Sequence, residues 1–112
     1  METFYPTRDV VLASMRRINS LIFADQIDLD RVEVVIEDLD TEWGYCIKEE
    51  DDPFPVLGVA DEFPTATDLA ETLVHEMVHL YQYQILKIEP DHGKTFKAFK
   101  NKAKDAGYNI IE

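Results

Sequence analysis

Leu73-Val74-His75-Glu76-Met77-Val78-His79-Leu80-Tyr81 is the stretch on which the reading of this chain turns. Leu69, Leu73, Met77 and Leu80 or Tyr81 recur at helical spacing, which predicts an amphipathic helix with a buried stripe. Pro64 and the polar group Thr65, Thr67 and Asp68 open it, and Asp68 with Glu71 resembles a capping box. The helix should run to about Leu86 and stop before Pro90. Two imidazoles and a carboxylate set into so apolar a segment would be costly without a task. Side chains four apart share a face, with Cβ atoms about 5–6 Å from each other. His75 and His79 can therefore reach one Zn²⁺ at about 2.0–2.1 Å each. Glu76 projects towards the same cleft without needing to bind metal, and there it could take a proton from zinc-bound water.

A catalytic zinc site takes three protein ligands and leaves the fourth position to water. His92, the third histidine of the chain, is the best candidate, with Asp91 and Glu89 as rivals. From His79 the helix continues for about seven residues, or about 10 Å. The segment from Lys87 to His92 can span up to about 20 Å when extended. The chain is thus long enough to turn at Pro90 and bring His92 back to the metal.

Working outward, Thr7 can cap a helix that begins after Pro6 and ends near Ala24. Val11, Met15, Ile18 and Ile22 form its inner face, with Leu12 and Leu21 beside them. Val32-Glu33-Val34-Val35-Ile36-Glu37 is rich in β-branched residues and reads as a strand. A second strand is expected from Trp43 to Lys48, and Pro55 to Ala60 reads as a third. Its leading proline and Gly58 suit an edge position. Glu49-Glu50-Asp51-Asp52 between them must be an exposed loop, because adjacent like charges resist burial. A last helix is expected from Gly93, buried through Phe96, Phe99, Ala103 and Ala106 and ended by Gly107. Tyr108 to Ile111 could add a short strand or a docked tail. The expected architecture is one α+β domain over residues 1–112: an N-terminal helix, a small three-stranded sheet, the histidine helix and a C-terminal helix.

The net charge of -12 is unevenly placed. Residues 25–62 carry fourteen acids and two bases, Arg31 and Lys48. Such a surface repels nucleic acid; only Lys94, Lys97, Lys100, Lys102 and Lys104 could attract a phosphate backbone. A solvated surface is the plainer account of both charge runs. The one cysteine, Cys46, excludes an internal disulfide and any Cys-x-x-Cys zinc ribbon, and reads as a buried structural thiol. No apolar run is long enough to span a membrane, and the N-terminus lacks the pattern of a signal peptide, so a cytoplasmic home is expected.

With these residues in view, the chain resembles the SprT-like family of zinc proteases, which includes the Spartan proteases. The matching text is Glu71-Thr72-Leu73-Val74-His75-Glu76-Met77-Val78-His79-Leu80, then His92-Gly93-Lys94-Thr95-Phe96, with Ile18-Asn19-Ser20-Leu21-Ile22-Phe23 upstream. The resemblance implies zinc on His75, His79 and His92, Glu76 as general base, and a zincin-like fold. For Spartan relatives it implies cleavage of proteins bound to DNA. Where the family usually has an Ala-Gly strand, this chain has Trp43-Gly44-Tyr45-Cys46 and keeps only the glycine.

The expected activity is hydrolysis of a protein or peptide substrate by a zinc-activated water. The substrate strand would pair with the strand around Val56–Ala60 by β-augmentation. Tyr45, Tyr81, Tyr83 and Tyr108 are open candidates for oxyanion stabilisation, and packing is the plainer role for each. The alternative function is a non-catalytic acidic module, stabilised by zinc, that engages a basic protein or mimics nucleic acid.

Overall fold

Thr7 opens the first helix as expected: its hydroxyl accepts from the amide of Val10. The computed structural model describes residues 2–111. Helix α1 spans Arg8–Ile22 and buries Val11, Met15, Ile18 and Ile22, while Leu21 lies on the exposed side. Asn19 closes its exit. Its side-chain amide donates to the Ile27 carbonyl at 2.9 Å, and its side-chain oxygen accepts from the Ile27 amide at 3.2 Å. Ala24 and Asp25 turn the chain through the left-handed region there, with φ of 52° and 58°.

A short 3₁₀ turn, Leu29–Arg31, leads into strand β1, Glu33–Glu37. Strand β2 is Gly44–Ile47 and β3 is Val56–Ala60. The sheet order is β1-β3-β2, with β1 parallel and β2 antiparallel to β3. The third strand is therefore central, not at the edge. Its continuous run Val56-Leu57-Gly58-Val59-Ala60 is the mark of a strand covered on both faces. Pro55 precedes the ladder and serves it through its carbonyl, which accepts from the Glu33 amide, so its missing N–H is not needed. Gly58 answers to packing: a Cβ there would lie 2.3 Å from the ring of Tyr45.

Helix α2 spans Ala66–Tyr81 and crosses the sheet beside β2. Thr65 is its cap, accepting from the Asp68 amide at 3.1 Å, and the Thr65 hydroxyl donates to the Asp68 carboxylate at 2.8 Å. The reciprocal pair is thus Thr65 with Asp68, one turn before the Asp68–Glu71 pair expected from sequence. The stripe Leu69, Leu73, Met77 and Leu80 is fully buried. The helix then loosens into a π turn, Gln82–Leu86, which ends where Lys87 takes the left-handed conformation with φ 57°.

Helix α3, Lys94–Asp105, packs Phe96 and Ala103 into the core. Ala106 lies outside, because it is already the cap residue beyond the helix. Phe99 joins Phe23 and Tyr81 in an aromatic cluster where α1, α2 and α3 meet. Gly107 stops α3 with φ 98°. Tyr108 to Ile111 then forms a docked tail with no strand pairing, and Ile110 is buried in the core. This α+β arrangement leaves β2 as the strand nearest α2 with an open edge.

Candidate metal centre

Helical spacing sets His75 and His79 one turn apart on α2, with ring centroids 5.1 Å from each other. The loop after the π turn brings in His92, its centroid 5.3 Å from that of His75 and 4.9 Å from that of His79. One ligand atom from each of the three lies within 4.8 Å of the other two. Phe96, fully buried on α3, forms the floor beneath all three rings at 4.7–5.5 Å. It follows from the sequence His92-Gly93-Lys94-Thr95-Phe96: Gly93 caps the helix and Phe96 faces inward one turn on.

The protonation of the two helical rings can be read from their partners. Nδ1 of His75 lies 2.6 Å from the carbonyl oxygen of Ile111, an atom that can only accept. Nδ1 therefore carries the proton, and Nε2 presents its lone pair. Nδ1 of His79 lies 2.9 Å from Oε1 of Gln82. That oxygen also accepts from the Asp91 amide at 3.2 Å, while Nε2 of Gln82 donates to the Asp91 carbonyl and side chain. These bonds fix which way the Gln82 amide points, so His79 too is protonated on Nδ1 and bare on Nε2. Burial lowers the pKa of both rings and favours the neutral, ligating form.

The Nε2 atoms of His75 and His92 face each other at 3.4 Å. This is beyond the usual hydrogen-bond range. Ligands about 2.0–2.1 Å from a tetrahedral ion would stand about 3.3–3.4 Å apart. The donor set, the tautomers of the two helical rings and the His75–His92 spacing fit a metal ion.

Neither rival for third ligand belongs to the group that the three rings form. Asp91 accepts from Gly93 and Gln82 in the turn that carries His92, and Glu89 lines a separate cavity with Arg31 and Lys87. Gln82, fully buried, was not singled out from sequence. Its only signal was polarity at the end of an apolar helix.

Glu76 is buried and points to the β2 side of α2. A Cβ on Gly44 would be 3.3 Å from the Glu76 Cγ, so the glycine lets strand and carboxylate approach. Burial, reinforced by Glu42, pushes its pKa up to about 7. A cleft of about 550 Å³ opens before it, lined in part by Glu42, Trp43, Gly44, His75, His92 and Ile111. None of the four candidate tyrosines lines this cleft. Tyr45 binds Glu37, Tyr81 packs in the aromatic cluster, and Tyr83 borders the other cavity. Burial first, then the Glu37 contact, raises the Tyr45 hydroxyl to about 12.

Two imidazoles on a helix and a third from the loop that follows it stand together beside a small mixed sheet, an arrangement that fits a metallopeptidase-like scaffold. The SprT-like family model matches residues 12–111, and the chain belongs to that family. No curated protein sequence matched the chain. Among the described residues, no helix is long and apolar enough to cross a membrane.

Proposed function

We propose that this chain is a zinc-dependent metallopeptidase, with zinc on His75, His79 and His92 and Glu76 as general base. The observation that carries the reading is the Nε2 of His75 facing that of His92 at 3.4 Å, with the Nδ1 of both helical rings committed to acceptors. Two bonded and inward-turned imidazoles beside a third make a preformed ligand set. Zinc held there would supply Lewis-acid chemistry, acidifying a water and polarising a peptide carbonyl. Glu76 receives the proton of the attacking water on its carboxylate and passes it to the departing amine.

The free edge of β2 takes the place of β3 in substrate binding. A central strand has no backbone groups to offer, whereas β2 borders α2 and begins at Gly44 in the cleft wall. An extended peptide adding to β2 would lie along the cleft. A closed structural site would need a fourth protein ligand. Among the described residues the ligand group comprises three, which favours catalysis over the purely structural module.

The test is hydrolysis of an unstructured protein substrate by the zinc-loaded chain, by a chelated sample re-supplied with zinc, and by Glu76→Gln. The reading expects activity in the first two and a loss of about 10²-fold or more in the third. Undiminished turnover by Glu76→Gln would refute the base assignment.

A further inference from the structure

We propose that the tail Tyr108–Ile111 is a clasp that sets the ligating tautomer of His75 and thereby governs metal affinity; this rests on the metal centre proposed above. Four successive residues hold the tail down. The Tyr108 amide donates to the Ala103 carbonyl at 2.9 Å. The Asn109 amide donates to Oε2 of Glu71 at 2.7 Å. Ile110 is buried in the core, and the Ile111 carbonyl accepts from Nδ1 of His75 at 2.6 Å.

The two contacts to α2 are in register. Glu71 and His75 are one helical turn apart, which is roughly 6 Å along the axis. Asn109 and Ile111 are two residues apart, about 7 Å in extended chain. The tail therefore runs alongside α2, with its first contact on one side chain and its second on the next of the same face. Glu71 thus has a use outside helix capping: it anchors the segment that orients the first ligand. Ile110 is buried in the core between the two bonded residues.

Without the Ile111 carbonyl, the His75 ring could rotate or carry its proton on Nε2, where it would block the metal. Partners on the far nitrogen of a ligating histidine are commonly worth 10–100-fold in metal affinity. The carbonyl comes from a tail outside the His-Glu-x-x-His helix and the His-Gly turn, so no inspection of the ligand motif would reveal it. Ile111 also lines the cleft beside His75 and His92, so the same segment forms part of its wall.

The experiment is zinc affinity, measured by competition with a fluorescent chelator, for the full chain, a chain ending at Ile110, Glu71→Ala and Glu71→Gln. Circular dichroism reports folding of each. The chain ending at Ile110 keeps the core residue and loses the carbonyl; its zinc dissociation constant should rise about tenfold or more. Glu71→Ala should weaken zinc, and Glu71→Gln, which keeps an acceptor for Asn109, should restore it. In nitrogen-15 spectra of the zinc-loaded chain, the His75 Nδ1–H should be slow to exchange. It should exchange quickly in the chain ending at Ile110, with the His79 Nδ1–H, held by Gln82, unchanged. Equal zinc affinity in folded full-length and shortened chains would overturn the clasp and leave the metal centre standing. Failure of the full chain to bind zinc at all would overturn both.

Discussion

The side-chain oxygen of Gln82 sits 2.9 Å from Nδ1 of His79. The same buried amide holds Asp91, the residue before His92, through its backbone on both sides. One side chain thus orients His79 and holds the turn that carries His92, two of the three proposed ligands. Gln82 stands where α2 passes into the π turn.

Gln82→Ala should therefore do two kinds of damage. The His79 N–H and the Asp91 amide lose a buried partner, at a cost of about 1–3 kcal/mol in stability. Zinc affinity should fall about 10–100-fold, because two ligands lose their orientation. Denaturant titration and chelator competition measure the two effects separately. A variant as stable as wild type with unchanged affinity would show that the amide is incidental.

Gly44→Ala tests the closeness of β2 to the metal helix. The new methyl would lie 2.8 Å from Cγ2 of Thr72, 3.0 Å from the Gly58 carbonyl oxygen and 3.3 Å from Cγ of Glu76. The carbonyl is backbone and yields little, so overpacking should cost about 1–3 kcal/mol. Turnover should drop more than zinc affinity, since Glu76 is displaced while the histidines are not touched. Thr72→Ser in the same chain removes the nearest clash and should recover part of the stability.

The metal-free chain should show a pH dependence specific to Glu76. Its folded pKa is raised from 4.5 to about 7, by burial first and Glu42 second. The folded state then holds a proton that the unfolded state releases between those values. Stability from this group is full below about pH 4.5 and is lost as pH rises through about 7. Glu76→Gln should thus unfold at a higher temperature than wild type at pH 8, by the equivalent of about 1–3 kcal/mol, and nearly with it at pH 5. His75 and His79, with lowered pKa values, act in the opposite direction on both proteins, so the comparison between them isolates Glu76. A Glu76→Gln variant less stable than wild type at pH 8 would contradict the buried, proton-holding carboxyl.

Cys46 should be chemically quiet. Burial, and then the nearby Glu76 charge, push its thiol up to about 12. Alkylation by iodoacetamide at pH 8 should be about a hundredfold slower, or more, than in denaturant, because the thiolate is the nucleophile. Labelling of the folded chain at the rate of the unfolded one would show an open thiol.

Periodicity and composition made most of this fold legible. The stripe Val11, Met15, Ile18, Ile22 and the stripe Leu69, Leu73, Met77, Leu80 mark two helices, and the β-branched run through Val34 and Ile36 marks a strand. The three histidines were legible because helical spacing and loop length can be checked on paper. Strand order was not, since Pro55 and Gly58 are read locally as edge signals while their causes are tertiary: a carbonyl used by Glu33 and a glycine cleared for Tyr45. Thr65 and Asp68 showed the same limit at the scale of one turn, where two overlapping capping pairs fit the text. Gln82 and the Ile111 carbonyl lay beyond sequence reasoning altogether. A π turn has no residue code, and a backbone acceptor has no letter.

The most direct test is the anomalous signal at the zinc edge in crystals of the zinc-loaded chain. The account expects one zinc per chain, about 2.0–2.1 Å from Nε2 of His75, His79 and His92, with its fourth position free of protein. A peak elsewhere, no peak among the three rings, or a fourth side chain closing the site would contradict it.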